Sequence, residues 1–234
     1  MPTGSYRGII DISARSMVMK AILIGSIGAL TETSEIQRQC FNQALAEHET
    51  GLYWNVANYC ELIRTPGGLA RLVNLGIDAT TAQAIHQRKQ ALYEAAIQGQ
   101  VTARDGILAL IDECHKQKIA LGFITTTTTQ TLSAVMKALS HEIDFTKFAL
   151  ITDMNAVSKA KPHADIYRFA LERLALEAKD VVAIEDSEAN VGAAQKAGIQ
   201  CYFTPGEYAY APDEAQKTRP LSYAHCNALL QQAA

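Results

Sequence analysis

Five short runs of apolar residues constrain the fold of this chain more than any other feature of its sequence. They lie at residues 21–24, 119–124, 148–151, 181–184 and 199–203. Each run is largely apolar from end to end, whereas a half-exposed strand would alternate apolar and polar residues. Helical periodicity separates the later runs, as at residues 165–174 and 189–197. This alternation predicts an α/β fold whose core is a Rossmann-like parallel sheet with helices on both faces.

The interval between the first and second apolar runs is too long for a single crossover helix. It holds about ninety residues, and its apolar positions recur only with helical spacing. We therefore predict a helical cap subdomain at residues 33–102, inserted into a core formed by residues 19–32 and 103–234. Residues 1–18 lack the apolar centre of a signal peptide and are predicted to form a short N-terminal extension.

Composition argues against several classes of function. The 234 residues carry a formal net charge of -3, so the chain lacks the basic surface that binds nucleic acid or an anionic membrane. None of its apolar runs approaches the roughly 20 residues that span a bilayer. The five cysteines are scattered and never form a C-x-x-C pair, which is atypical of disulfide frameworks and zinc sites. We expect a cytoplasmic protein whose partners are small molecules or other proteins, with no nucleic acid and no membrane.

Polar side chains follow the ends of the later predicted strands. Thr125 follows the second strand in GFITTTTT, and Glu185 and Asp186 end the fourth in AIEDSEAN. Lys161 precedes a proline in SKAKPHADIY. Because the carboxyl ends of parallel strands share one edge of the sheet, we expect these residues to converge on one crevice. Carboxylates that hold an ion, beside an ammonium and a hydroxyl that hold phosphate, are what a magnesium-dependent phosphate site requires.

Two of these residues also have roles that need no ligand. Thr125 is equally consistent with a helix N-cap, because a threonine hydroxyl accepts from the free N–H groups of a helix start. Lys161 is expected to pair with Glu185 or Asp186, since an unmatched charge in a crevice is costly.

These motifs, in this order and at this spacing, resemble the haloacid dehalogenase superfamily. The resemblance is to its capped phosphatase and β-phosphoglucomutase-like group, and most closely to the CbbY-like branch, whose cap patterns are similar to ETSEIQRQCFN and LIRTPGGLAR here. It implies that Thr125 and Lys161 hold phosphate and that Arg71 of the cap faces the substrate. It also implies that Glu185 and Asp186 hold magnesium.

The first motif departs from the family's pattern. Where the family carries Asp-x-Asp-Gly-Thr, this chain has Gly25-Ser26-Ile27-Gly28-Ala29. In the family the first aspartate attacks phosphorus and binds magnesium, and the second acts as general acid and base. Gly25 and Ile27 can perform neither role, so the ordinary phosphatase mechanism is excluded.

The leading hypothesis is therefore a pseudoenzyme that keeps weak binding of a small phosphorylated metabolite or of a protein partner, with no cofactor beyond weak magnesium binding. Leu69 and Gln37 agree with a lost activity, because they replace a lysine and a histidine of the CbbY-like cap pattern. One alternative is a sugar-phosphate phosphatase or phosphomutase with a displaced nucleophile. Nearby groups to consider for that role are Ser26, Thr31, Glu32 and His163. A second alternative is a structural or interaction protein that docks through the cap or through residues 207–234.

Overall fold

The computed structural model describes residues 19–99 and 101–209. Its sheet consists of β1 (Ala21–Ile24), β2 (Ala120–Ile124), β3 (Leu150–Thr152), β4 (Val181–Glu185) and β5 (Gln200–Phe203). The strands are parallel and lie in the order β3-β2-β1-β4-β5. The predicted α/β fold with a Rossmann-like sheet is confirmed. The carboxyl ends of β1, β2 and β4 lie side by side at one edge.

Helices surround this sheet and build a separate layer above its carboxyl edge. They are α1 (Ile27–Leu30), α2 (Ser34–Glu47), α3 (Val56–Leu62), α4 (Gly68–Asn74), α5 (Ala79–Ala96), α6 (Ile107–Gln117), α7 (Thr129–Leu139), α8 (Asp165–Leu174) and α9 (Glu188–Lys196). Short 3-10 turns occur at Phe145–Lys147, Met154–Ala156 and Ala178–Asp180. Helices α2 to α5 follow β1 and form the cap, whereas α6 to α9 pack on the sheet.

Both faces of the sheet are covered, which explains why its strands are apolar without alternation. In β1, Ile22 and Ile24 pack in the cluster that includes α6 and α7, and Ala21 and Leu23 pack in the cluster that includes α8 and α9. All four side chains are at most 1% exposed. Burial of a single Ile or Leu side chain stabilises a fold by about 1.5–3 kcal/mol. The central strand is therefore a firm support for the turn that follows it.

The cap has an apolar core of its own, formed where α2, α4 and α5 meet. Phe41, Leu45, Leu72 and Ile85 are at most 2% exposed and pack with Trp54. The ring centroids of Phe41 and Trp54 lie 4.7 Å apart, within the range of favourable aromatic pairs. The cap therefore presents a packed wall to the sheet edge.

Polar contacts hold the cap over that edge. The chain after β5 crosses to the cap, where the Tyr208 hydroxyl donates to Glu35 Oε2 at 2.7 Å. On the opposite side, Gln90 Nε2 of α5 donates to Thr131 Oγ1 of α7 at 2.9 Å. Cap and core thus enclose a cleft between them.

Parts of the predicted organisation extend beyond the described residues. The N-terminal extension at residues 1–18 lies outside them, and so do residues 210–234 of the tail. The limits of the cap and core, at residues 33–102, 19–32 and 103–234, stay predictions. In the part of the chain that the structure describes, no helix is both long enough and apolar enough to cross a bilayer.

Candidate functional site

A cleft of about 710 Å³ lies between the cap and the carboxyl edge of the sheet. Ligands of open parallel sheets bind at this edge. Of the residues that the sequence singles out, the lining of the cleft contains Ser26, Ile27, Gly28, Gln37, Leu69, Arg71, Thr125, Lys161 and Asp186. Gly25 and Glu185 are buried behind that lining. The chain therefore brings the predicted residues to one place, but it turns one of the two predicted magnesium-binding carboxylates away from the cleft.

The turn after β1 leaves a space that Glu185 fills. The Gly25 N–H donates to Ile184 O of the neighbouring strand β4 at 2.8 Å, which holds the two strand ends together. A Cβ atom at residue 25 would overlap the carboxyl carbon and both carboxyl oxygens of Glu185. A Cβ atom at residue 28 would likewise overlap Asp186 Oδ2. Because Gly25 and Gly28 have no side chains, the carboxylates of Glu185 and Asp186 can occupy the space next to them.

Glu185 is 0% exposed, and four donors reach its carboxylate. Oε1 accepts from the Lys161 ammonium and from the Tyr167 hydroxyl. Oε2 accepts from the main-chain N–H of Ser26 at 3.1 Å and, with a longer contact of 3.4 Å, from that of Asp186. A carboxylate offers about four acceptor positions, so Glu185 has none left for a ligand.

Lys161 forms a buried ion pair with Glu185, as charge pairing predicts. Its Nζ also donates to Ile124 O at the end of β2 at 2.8 Å and lies 5.3 Å from the centroid of the Tyr167 ring. Burial, followed by the charge of Glu185, raises the pKa of the Tyr167 hydroxyl, so this group stays protonated and donates. The charges of Lys161 and Glu185 thus compensate each other, and we call these two residues the buried pair. The hydroxyl of Tyr167 is a neutral donor beside them.

Thr125 does not cap a helix, so the capping alternative is wrong. Its Oγ1 accepts from the Thr127 N–H at 3.1 Å, and its own N–H donates to Thr152 Oγ1 at 3.1 Å. The N-cap of α7 is Thr128, whose Oγ1 accepts from the Thr131 N–H at 3.1 Å. The helix begins later than the sequence suggests because the threonine loop first runs along the cleft.

Asp186 is the carboxylate that faces the cleft. Its Oδ1 accepts from Asn190 Nδ2 of α9 at 3.2 Å. Burial, followed by the charge of the adjacent Glu185, raises the pKa of the Asp186 carboxyl. One carboxylate with a raised pKa repels an incoming anion less than two ionised carboxylates would.

The hydroxyl groups of Ser26 and Thr31, which were considered as nucleophiles, are both buried, and that of Ser26 has no hydrogen-bond partner among the described residues. The Ser26 hydroxyl oxygen is buried from solvent beside the Asp186 carboxylate. The Thr31 hydroxyl donates to Thr102 O at 2.7 Å, and this residue is 1% exposed. Neither oxygen is open to a ligand in the cleft.

The other two candidates are also accounted for. The Glu32 carboxylate accepts from the N–H groups of Ser34 at 2.7 Å and Glu207 at 2.6 Å, so it joins the start of α2 to the chain after β5. His163 is exposed and lies outside the lining of the cleft. These placements disfavour a displaced nucleophile.

Arg71 lines the cap side of the cleft, where the resemblance places a substrate-facing residue. Its Nε donates to Leu62 O at 2.8 Å and its Nη2 to Thr65 O at 3.2 Å. The guanidinium carbon lies 5.8 Å from the centroid of the Phe41 ring. Arg71 therefore anchors the loop between α3 and α4 and adds a positive charge to the wall.

The cap also supplies a cation that the motifs did not reveal. Lys89 of α5 lines the cleft and is 4% exposed. Its Nζ donates to Oε1 of Gln37 at 3.0 Å and of Gln90 at 2.9 Å, and lies 4.9 Å from the ring centroids of Phe41 and Tyr93. Within the described residues its ammonium thus contacts amides and aromatic faces but forms no ion pair with a carboxylate.

Burial shifts the pKa values of two basic residues of the cap, Lys89 and His86. It lowers the pKa of Lys89 to about 7. Burial, followed by the charges of Lys89 and Arg71, also lowers the pKa of His86. A sequence signal for Lys89 exists, because it stands four residues after Ile85 and four before Tyr93 on the face of α5 that helical spacing buries.

Comparison with known proteins identifies a family and individual proteins to which this chain is similar. A family model described as haloacid dehalogenase-like hydrolase matches residues 28–204. Protein CbbY of Rhodobacter capsulatus is 33% identical over 204 residues, which are 84% of this chain and 90% of that protein. A CbbY mutant of Rhodobacter sphaeroides, crystallised with xylulose-1,5-bisphosphate, matches with a TM-score of 0.77 and 32% identity, covering 88% of this chain and 95% of that chain. A β-phosphoglucomutase of Clostridium difficile, at 16% identity and a TM-score of 0.67 over 92% of this chain and 98% of that chain, is similar in fold alone.

Proposed function

We propose a function without catalysis for this chain, which belongs to the haloacid dehalogenase-like hydrolase family and is related to the CbbY proteins. Its membership confirms the resemblance read from the motifs. In our proposal the protein is a pseudoenzyme of this family. It binds a small phosphorylated metabolite in the cleft and does not hydrolyse it.

The observation that supports this proposal most directly is that Glu185 fills the space beside Gly25. The carboxylate nearest to the lost nucleophile is thus buried and held by Lys161, and it cannot reach a phosphorus atom in the cleft. Ile27 supplies no acid or base at the second position. Loss of a covalent nucleophile lowers the rate by about 10⁶ in one protease series. Here the acid and base group is missing as well.

The basic residues on the cap side of the cleft indicate the class of ligand. Lys89, Arg71 and His86 are basic, and a bound anion would supply the counter-charge that the buried Lys89 lacks. The volume of about 710 Å³ suits a small metabolite. A related CbbY was crystallised with a sugar bisphosphate, and we propose a phosphorylated sugar as the ligand class here.

The other predicted partners and the location stay predictions. A protein partner would use the cap or the tail, of which residues 210–234 lie outside the described residues. No described contact favours that alternative over a small anion. A cytoplasmic location is likewise a prediction of the sequence.

Purified protein is expected to release no phosphate above the blank from p-nitrophenyl phosphate or sugar phosphates, with or without magnesium chloride. The measurement is colorimetric phosphate release at high protein concentration, beside an active phosphatase as a positive control. Hydrolysis that is abolished by Lys161→Ala or by Asp186→Ala would contradict the proposal and would favour the displaced nucleophile.

Anion binding is expected to weaken as the pH rises above 7, because Lys89 has a pKa of about 7. A bound anion favours the protonated ammonium, so above that pKa binding requires uptake of one proton and affinity falls by at most about tenfold per pH unit. Sulfate is the suitable probe, since its own charge is constant in this range. His86 is already neutral there, because its pKa is lowered from its usual value of 6.5.

Calorimetric titration with sodium sulfate at constant ionic strength tests this dependence. Lys89→Gln is expected to weaken binding and to flatten the pH profile. The matched variant Lys116→Gln, whose side chain is 72% exposed, is expected to leave both unchanged. Equal sulfate affinity for the parent protein and Lys89→Gln would count against the cap as the anion site.

A further inference from the structure

We infer that the cleft of this protein does not use magnesium, because an ion pair inside the protein occupies the metal-binding part of the site. The family resemblance assigns Glu185 and Asp186 to a magnesium ion. Magnesium requires near-octahedral coordination by oxygen and keeps several waters, with one or two carboxylates and the substrate phosphate as further ligands. The contacts of the two residues show whether they fit such an ion.

Glu185 does not fit. Its carboxylate is 0% exposed and lies behind the lining of the cleft, in the space beside Gly25. Oε1 is bonded to the Lys161 ammonium, so a cation that approached this oxygen would meet a positive charge in direct contact with it. Oε2 is bonded to the Ser26 N–H at 3.1 Å. To serve a metal, Glu185 would have to abandon these donors and leave Lys161 buried without its partner.

The remaining side-chain oxygens at this edge include one carboxylate, that of Asp186, which is the least that magnesium takes, and the Ser26 hydroxyl, which is buried beside it. Asp186 is a single carboxylate, and one of its oxygens already accepts from Asn190 Nδ2 at 3.2 Å. Gly25 and Ile27 add no side-chain oxygen. Across residues 19–99 and 101–209, no group of three or more His, Cys, Asp or Glu side chains is arranged to hold a metal ion. The residues present therefore do not fit magnesium, and Lys161 supplies the positive charge at this edge.

The expected behaviour of a bound anion rests on the proposed function. An anion bound by the cap cations requires no metal, so sulfate affinity is expected to be the same in magnesium chloride and in EDTA. The test of the metal itself does not depend on any anion. Failure of sulfate binding would overturn the proposed function. The magnesium titration tests only whether the protein binds the metal.

The decisive experiment is a calorimetric titration of the parent protein with magnesium chloride, with thermal unfolding as a second measurement. We expect neither binding heat nor an increase in melting temperature at millimolar magnesium. Saturable binding that Glu185→Gln or Asp186→Asn abolishes would overturn the inference.

Gly25→Asp/Ile27→Asp is the positive control. The new side chain at residue 25 overlaps the Glu185 carboxylate and forces it to move, so several carboxylates then crowd the edge. We expect this variant to gain stability on addition of magnesium, by preferential binding of the ion to the folded state. Gly25→Asn/Ile27→Asn has similar volume without the charges and is expected to show no such gain. A folded Asp variant without any magnesium response would also contradict the inference, and if that variant does not fold, the parent titration alone decides.

Discussion

Lys161→Ala is expected to reduce the free energy of unfolding by about 3–5 kcal/mol, the range for removal of one partner from a buried ion pair. The reason is that Glu185 is 0% exposed and would lose the ammonium that contacts it, so its carboxyl group would be buried without a counter-charge. The Tyr167 hydroxyl and the Ser26 N–H would still donate to the carboxylate, but neither carries a charge. Urea unfolding near neutral pH, monitored by circular dichroism, measures the loss.

Two further variants show whether the loss comes from the stranded charge. Lys161→Met/Glu185→Gln is expected to be more stable than Lys161→Ala, because a neutral amide oxygen at residue 185 still accepts from Tyr167 and leaves no buried charge. Lys116→Ala removes an exposed lysine that pairs with Glu113 at 3.5 Å, and its effect is expected to stay within about 0.5 kcal/mol. A loss for Lys161→Ala no larger than that of Lys116→Ala would show that the buried pair does not support the fold.

Gly25→Ala is expected to destabilise the protein by about 2–4 kcal/mol, although it adds only one methyl group. The added Cβ would overlap the carboxyl carbon and both oxygens of Glu185. The Gly25 N–H donates to Ile184 O at 2.8 Å, and this hydrogen bond limits movement of the backbone at residue 25. Glu185 must therefore move away from its hydrogen-bond donors instead. Chemical unfolding of the variant beside the parent protein measures the change.

The matched control is the same substitution at Gly192. No heavy atom outside its own helix lies within 4 Å of a Cβ at that position in α9, so Gly192→Ala is expected to stabilise by about 0.5–1 kcal/mol through helix propensity. The two substitutions thus have opposite expected signs. If Gly25→Ala were no more destabilising than Gly192→Ala, Glu185 would be free to move, and its position would not account for the glycine at residue 25.

Much of the site was predictable because its members follow strand ends. Thr125, Lys161 and Asp186 do meet at one edge of the sheet, as the parallel order of the strands requires. The pairing of Lys161 with Glu185 also followed from charge alone. In contrast, the helix cap at Thr128 was not predicted, because five successive threonines give the sequence no way to choose which one begins the helix.

Lys89 and Glu185 show where the sequence stops being informative. A lysine on a buried helical face is visible in the spacing of α5, but which surface that face meets depends on how the cap lies over the sheet. The contact between the Ser26 N–H and Glu185 joins residues separated by 159 positions. No local pattern encodes such a contact, because it depends on the register of β1 against β4.

The sequence by itself determined the α/β fold, through continuous apolar strands that must be buried on both faces, and it determined that residues 25 and 27, a glycine and an isoleucine, carry no acidic group. Only the tertiary structure decided what occupies the space beside Gly25. Side-chain packing fills voids and pairs buried charges regardless of distance along the chain. Here that packing turns Glu185 inward onto Lys161 and leaves the cap cations facing the cleft.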